Sequence, residues 1–126
     1  MGKRFILDFE SAVPIFQQIV QEMERRILVG ELKEGDYLTS VREFAVANTV
    51  NPNTVAKAYQ QLQSLGLVEA VRGKGLAVKR LKEKAASERR EDIIGEKARE
   101  LLDLGDSLNL SLDDLIEILK THRRKR

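Results

Sequence analysis

One predicted helix start carries side chains that suit contact with a polyanion. Asn51 is a preferred N-cap residue, and Pro52 fits the first helical position, where a missing N–H costs nothing. The first helical turn presents free N–H groups and the positive end of the helix dipole, which suits phosphate. Asn53 and Thr54 can hydrogen-bond base edges, and Lys57 follows about one turn later, within reach of guanine or phosphate. The alternative is that Asn51 only caps the helix while the other side chains are solvated.

Further cations flank this helix on both sides in the sequence. Ser40 and Glu43 have the spacing of a capping box, which predicts a short helix with Arg42 in its first turn. Arg42 can contact phosphate or guanine there, and a surface salt bridge is its alternative role. Arg72 and Lys74 fall in a Gly-rich turn between two apolar runs. They form a slender basic hairpin tip that can approach a minor groove or a phosphate backbone closely.

Charge is distributed unevenly along the 126 residues. The segment from Ser40 to Arg80 contains six basic and two acidic residues, whereas residues 81–119 contain six basic and eleven acidic residues. The last seven residues add five further cations. This pattern indicates one part of the chain that faces a polyanion and another part with a different role. Surface charge that is simply scattered in this way is the alternative.

The composition and the remaining polar residues argue against several other classes of protein. The chain is 42% hydrophobic and 33% charged, which is a globular composition. It contains no Cys, so neither a disulfide framework nor a thiolate metal site is expected, and its only histidine, His122, lies in the basic tail. Asp113, Asp114 and Glu117 complement the dipole of a helix. Because no nucleophile–base set is visible, we expect no enzyme, no metal and no cofactor.

The chain also lacks the signals of export and membrane insertion. Charge interrupts the apolar residues at the start of the sequence, which argues against a signal peptide. No apolar run approaches the roughly 20 residues that span a bilayer. We therefore expect a cytoplasmic protein with no membrane partner.

Three helices are predicted between residues 14 and 66. The first has an apolar stripe at helical spacing and ends at Gly30, after a short strand or extended arm at residues 5–9. A short helix then begins at Ser40, and a longer one begins at Asn51 and ends at Gly66. The few residues between these two helices give the spacing of a helix-turn-helix. The predicted inward-facing residues are Phe16, Val20, Met23, Ile27, Phe44, Ala45, Val55, Tyr59 and Leu62.

A hairpin follows the third helix directly. Residues 67–71 and 76–79 are apolar runs with strand character, and the Gly-rich turn lies between them. A hairpin directly after a helix-turn-helix is a wing, so these elements together predict a winged helix-turn-helix.

The sequence from residue 81 onward predicts two further helices. The first ends near Gly105, and Ser111 with Asp114 caps the second. Their apolar stripe comprises Ile94, Ala98, Leu101, Leu102, Leu112, Leu115, Ile116 and Leu119. Two short helices cannot bury this stripe fully against each other, so we expect it to hold a homodimer together. The alternative is that the stripe folds back onto the winged domain.

Five ordered motifs run through the first 80 residues. They are Pro14-Ile-Phe-x-Gln-Ile, Ile27-x-x-Gly30-x-Leu32-x-x-Gly35-x-x-Leu38, Ser40-x-Arg42-x-Phe44-Ala45, Val50-Asn-x-x-Thr54-Val55-x-x-Ala58-Tyr59-x-x-Leu62-x-x-x-Gly66-Leu-Val and Arg72-Gly-Lys-Gly75-x-x-Val78. This pattern resembles the GntR family of bacterial regulators. Residues 81–120 resemble the short two-helix dimerisation unit of its YtrA subfamily.

The resemblance implies a mainly α fold with a small β-hairpin. Residues 1–80 would form a winged helix-turn-helix DNA-binding domain, and residues 81–126 a helical dimerisation segment with a basic tail. The implied function is that of a sequence-specific transcriptional regulator, a repressor that binds a palindromic double-stranded operator as a homodimer. A small-molecule effector, if there is one, would bind at the dimer interface, because two helices cannot enclose a sizeable pocket in one subunit. The predicted DNA-binding residues are Ser40, Arg42, Asn51, Asn53, Thr54, Lys57, Arg72, Gly73 and Lys74.

Two positions depart from the pattern of the family. Thr39 replaces a Pro that would stiffen the turn before the short helix, and Ala77 replaces an aromatic residue, which predicts a less firmly packed wing. Two other functions are alternatives for this sequence. The protein could be a protein-interaction module on the same scaffold or a subunit of a nucleic-acid enzyme. The basic charge of residues 40–80 argues against the first, and the lack of a metal or nucleophile constellation argues against the second.

Overall fold

Five α-helices and one antiparallel hairpin make up residues 4–126, the part of the chain that the computed structural model describes. The elements in order are α1 (Ile15–Leu28), α2 (Val41–Asn48), α3 (Pro52–Ser64), β1 (Val68–Val71), β2 (Gly75–Val78), α4 (Glu83–Ser107) and α5 (Leu112–Arg124). The chain divides into two units, the first ending at Lys82 and the second comprising Glu83–Arg126. The mainly helical class with one small hairpin, predicted from the sequence, is confirmed.

The first unit encloses a core built from α1, α2 and α3. Ile19, Met23, Val55 and Leu62 are fully buried, and Phe44 is 1% exposed. These residues recur at helical spacing, so each helix buries one stripe, and each large apolar side chain contributes about 1.5–3 kcal/mol by leaving water. Apart from Phe16, which is only partly buried, the residues predicted to face inward are the ones that the core buries.

Residues 4–8 form an extended arm without strand pairing, which decides between the two predicted alternatives. Phe5 on this arm is buried, with its ring edge-on to Phe44 at a centroid distance of 4.9 Å. The Arg26 guanidinium of α1 lies 4.1 Å from the centre of the Phe5 ring and donates a hydrogen bond to the Arg4 carbonyl at 3.2 Å. The arm is thus fastened to both α1 and α2.

Short-range hydrogen bonds set the ends of the helix-turn-helix. The Asn51 Oδ1 accepts the Asn53 N–H at 2.8 Å, and Pro52 occupies the first position of α3, as predicted. Ser40 Oγ accepts the Glu43 N–H at 3.2 Å. In the described residues the Glu43 side chain does not complete the predicted capping box, so Ser40 alone caps α2. Between the helices, Thr49 adopts a left-handed conformation with φ of 54°.

The two-stranded hairpin makes an additional backbone pairing that the sequence did not predict. Val68 pairs with Val78 and Val71 with Gly75 across an antiparallel ladder. On its other edge β2 forms an isolated antiparallel bridge between Ala77 and Tyr37, within residues 35–38, a segment for which the sequence predicted no strand. The Leu38 N–H donates to the Leu76 carbonyl and the Val78 N–H to the Asp36 carbonyl, both at 2.8 Å. This pairing holds both edges of β2, and the Ala77 side chain is buried.

The second unit is a hairpin of two helices. The first of them ends at Ser107, close to the predicted Gly105, but Gly105 itself lies inside α4, and the left-handed residue after the helix is Asn109. A Cβ on Gly105 would lie 2.8 Å from Leu115 Cδ1, so this glycine allows α5 to approach α4. Gly105 therefore has a packing role inside the helix instead of ending it.

The start of α5 follows the sequence closely. Ser111 Oγ accepts the Asp114 N–H at 3.1 Å, and the Asp114 carboxylate accepts the Ser111 N–H at 2.9 Å, which completes the predicted capping box. The backbone hydrogen bond from Ser111 holds the pKa of Asp114 below its usual value, because it favours the ionised form. Among the described residues, no helix is long and apolar enough to cross a membrane.

Candidate nucleic-acid interface

The predicted contact residues lie on the outside of the first unit. Ser40, Arg42, Asn51, Asn53, Lys57, Arg72, Gly73 and Lys74 are exposed, and Thr54 is half-buried. They occupy three places in the fold: the start of α2, the first turns of α3, and the tip between β1 and β2. Exposure of so many polar and basic residues at element ends leaves them accessible to a ligand.

The cations at two of these places have no partner among residues 4–126. Arg42, Arg72 and Lys74 make no side-chain hydrogen bond or ion pair with any residue in the described part of the chain. The alternative role of Arg42, a surface salt bridge, is therefore absent there. An unpaired guanidinium in the first turn of a helix keeps all its donors available for phosphate or a guanine edge.

The side-chain oxygens of the two capping residues are already used within the protein. Asn51 Oδ1 already accepts the Asn53 N–H, and Ser40 Oγ already accepts the Glu43 N–H. The Asn51 amide N–H groups and the Ser40 hydroxyl hydrogen remain free to donate. Both residues are therefore suited to phosphate, which only accepts, whereas Asn53 and Thr54 retain donor and acceptor for base edges.

Lys57 is the exception among the predicted cations. Its Nζ lies over the ring of Phe16 on α1, 4.0 Å from the ring centroid. The sequence analysis placed Phe16 in the buried stripe of α1, but its ring is only partly buried and one face is covered by this ammonium group. No sequence signal indicates the contact, because it joins two helices that are far apart in the chain.

One short segment, residues 36–40, joins the three parts of this surface. Asp36 and Leu38 bond to β2, the Thr39 carbonyl accepts a hydrogen bond from the Tyr59 hydroxyl of α3 at 2.7 Å, and Ser40 caps α2. Burial raises the pKa of Tyr59 well above its usual range, so the hydroxyl stays protonated as a donor. Thr39, which replaces the Pro typical of the family, is thereby fixed by a hydrogen bond to α3.

Most of the predicted dimerisation residues are exposed on the second unit. Ile94 is 68% and Leu112 61% exposed, and Ala98, Leu101, Leu102, Ile116 and Leu119 are exposed as well. Leu115 differs, since it is 6% exposed and packs against Gly105 inside the hairpin. The prediction missed three further exposed apolar residues of this unit, Leu104, Leu108 and Ile118. The unit therefore presents a broad apolar surface.

Comparison with known proteins relates this chain to a family of bacterial regulators. The model of the family described as bacterial regulatory proteins, gntR family, matches residues 15–78. Over 114 residues the chain is 36% identical to the HTH-type transcriptional repressor YtrA of Bacillus subtilis (strain 168), covering 90% of this chain and 88% of YtrA.

Solved structures agree with the sequence comparison. A GntR family transcriptional regulator from Listeria monocytogenes superposes with a TM-score of 0.78 at 28% identity, over 90% of this chain and 98% of that one. The DNA-binding domain of AraR, solved in complex with operator ORR3, superposes with a TM-score of 0.50 at 26% identity, over 60% of this chain and 92% of that one. The winged helix with its basic, unpaired surface is thus the DNA-binding domain of a transcriptional regulator, and the chain belongs to the GntR family, where it resembles YtrA.

Proposed function

We propose that this protein is a transcriptional repressor that binds a palindromic operator as a homodimer in the cytoplasm. The observation that carries the proposal is that Arg42, Arg72 and Lys74, at two exposed places of one basic domain, have no partner in the described part of the chain. Cations that the fold leaves without a partner add a long-range attraction to a polyanion at no cost of breaking internal ion pairs. YtrA, which is similar over nearly its whole length, is named a repressor, and that supports the direction of regulation.

The contacts divide into base reading and backbone positioning. Arg42, Asn53 and Thr54 belong to the first turns of the helix-turn-helix, so they would reach base edges in the major groove. Ser40 and Asn51 each use their side-chain oxygen in a cap and keep their donors free, so they would contact phosphate. Arg72, Gly73 and Lys74 at the wing tip would follow the backbone or enter a minor groove, because Gly73 has no side chain to obstruct the approach. Lys57 would add a further cationic contact.

The second unit would supply the dimer contact. Its exposed apolar residues cover both helices, and burying apolar surface contributes roughly 25 cal/mol per Å². A two-fold dimer presents two α3 helices related by symmetry, so its operator should be a palindrome with half-sites about one helical turn apart. An effector, if the protein responds to one, would bind where the two copies meet.

The experiment compares binding of operator and scrambled duplexes across a range of salt concentrations, after the operator has been selected from a random pool. Arg42→Ala and Asn53→Ala should each cost about 1–3 kcal/mol on the operator and relax the preference at particular base pairs. Lys74→Ala should weaken both duplexes equally and lower the magnitude of the salt slope by about 0.9 for each bound copy. Equal losses on both duplexes for Arg42→Ala would make Arg42 a phosphate contact and contradict the division.

Lys33→Ala provides a matched control for the wing lysine. Lys33 lies just before Gly35, whose N–H bonds to the Val78 carbonyl at the end of β2 opposite the tip. Its loss should leave the salt slope unchanged. Binding of wild-type protein that is insensitive to salt would instead favour a protein-interaction module.

Oligomeric state is tested by truncation after Lys82, where the first unit ends. Leu81 packs against the winged core, so cutting before it would damage the DNA-binding domain itself. The truncated protein should be a monomer by light scattering and the full chain a dimer. Ile94→Asp in the full chain should shift it toward monomer, and a dimer of unchanged affinity in both variants would refute the assignment.

A further inference from the structure

Lys57 and Phe16 form a cation–π pair between α3 and α1. The Lys57 Nζ lies 4.0 Å from the centroid of the Phe16 ring, and Lys57 has no carboxylate partner in the described part of the chain. The first turn of α1, where Phe16 lies, contains no acidic residue. The ring is held in turn by packing of Phe16 on the buried core. A partly buried aromatic ring therefore contacts the ammonium group at the end of the Lys57 side chain.

Such a pair fixes the direction of a lysine without neutralising it. A carboxylate partner would cancel the charge that DNA must attract, whereas a ring leaves the full positive charge in place. Lys57 follows Asn53 and Thr54 by one helical turn, so its stem starts on the same face of α3 as theirs. The ammonium nonetheless ends over α1, at the side of α3, instead of continuing outward with those two residues.

We propose that Phe16 is a positioning residue that holds Lys57 as a phosphate contact beside α3, so that Lys57 strengthens DNA binding without reading sequence. The inference rests on the proposed DNA-binding function and assigns Lys57 to only one of the two roles that its position in the sequence allowed. It also gives Phe16 a part in recognition although the ring itself touches no DNA. Restricting the ammonium in the free protein lowers the ordering cost when it meets a phosphate.

The test is a double-mutant cycle in the full-length protein, measured on operator and scrambled duplexes at several salt concentrations. Lys57→Ala should weaken both duplexes equally and reduce the salt slope by about 0.9 for each bound copy. Phe16→Leu keeps the apolar bulk and removes the π face, so it should weaken both duplexes about two- to fivefold per copy. Phe16→Tyr keeps the face and should bind like wild type. In the Lys57→Ala background, Phe16→Leu should have no further effect.

Nuclear magnetic resonance of the Lys57 side chain supplies an independent readout. Its ε-CH₂ protons should be shifted upfield by the ring in the free protein, remain so in the DNA complex, and return to ordinary positions in Phe16→Leu. A merely structural role for Phe16 would weaken binding equally in both Lys57 backgrounds, and that result overturns the inference. Loss of the upfield shift on DNA binding, or an effect of Lys57→Ala on the operator alone, overturns it as well. Failure of the wild-type protein to bind any duplex would refute both the proposed function and this inference. That result differs from failure of the inference alone, in which the wild-type protein binds DNA and only the variants behave differently from expectation.

Discussion

Gly105 should respond to an added methyl group in the opposite way from Gly95, although both lie inside α4. Gly in a helix interior is about 1 kcal/mol less favourable than Ala, so replacing an exposed helical glycine normally stabilises a protein. A Cβ on Gly95 would have Arg99 Nη1 as its nearest neighbour, at the ordinary contact distance of 3.7 Å. Gly95→Ala should therefore raise the free energy of unfolding of the second unit by up to about 1 kcal/mol.

The surroundings of Gly105 reverse this expectation. A Cβ there would lie 2.8 Å from Leu115 Cδ1, 3.1 Å from Cδ2 and 3.3 Å from Cγ. Three atoms of one side chain are too close, so rotating a single methyl group cannot relieve the clash, and Leu115 is buried with little room to move. Overpacking of this kind costs about 1–3 kcal/mol. After subtracting the gain in helix propensity of about 1 kcal/mol, Gly105→Ala should destabilise the unit by ~1 kcal/mol.

Native-state hydrogen exchange of the α4 and α5 amides, at one fixed protein concentration, measures the free energy of opening of these two helices in each variant. Leu115→Ala should itself cost about 2–5 kcal/mol, because it leaves a cavity in the hairpin. Once that space is open, Gly105→Ala should become stabilising, so the sign of its effect should change between the two backgrounds. Equal stabilisation by Gly95→Ala and Gly105→Ala in the wild-type background would refute the steric argument.

Three further predictions concern local backbone and capping. Thr49→Gly should raise the melting temperature, corresponding to about 0.5–1 kcal/mol, because a β-branched residue at φ of 54° is strained and Gly is not. Asn51→Ala should lower stability by about 1 kcal/mol in urea unfolding, since the Asn53 N–H loses its acceptor. Asp114 has a depressed pKa when folded, so its contribution is present above its unfolded pKa of about 4 and is lost as the pH falls through the folded pKa. The helicity of α5 should thus decline on acidification below pH 4, and Asp114→Asn should flatten that decline when measured by circular dichroism.

Local signals in the sequence predicted most of the element ends. Asn51 with Pro52 begins α3, Ser111 with Asp114 caps α5, and Gly30 follows the end of α1, because each of these depends on hydrogen bonds or φ angles within a few residues. Helical periodicity likewise identified the core, since the period of the apolar residues already defines which face is buried.

The failures involve contacts between residues that are distant in the chain. Gly105 resembles a helix end in the sequence and is explained only by Leu115 of the next helix. The backbone pairing of residues 35–38 depends on β2, and the direction of Lys57 depends on Phe16. Spacing within one element carries no information about such partners. The DNA-contact and dimerisation residues stay predictions until binding and oligomeric state are measured.

The hydrogen bonds of residues 36–40 have a consequence for how such a regulator discriminates between DNA sites. Because one short stretch of backbone is hydrogen-bonded to β2, α2 and α3, we expect the wing and these two helices to move together, which would leave the surface little freedom to adapt to a poor half-site. A dimer of two rigid DNA-binding domains would be as sensitive to the spacing and helical phase of the two half-sites as to their base sequence. Inserting a single base pair at the centre of the operator would then displace one domain by about 3.4 Å along the duplex axis and turn it about the helix, with no compensating flexure inside either domain.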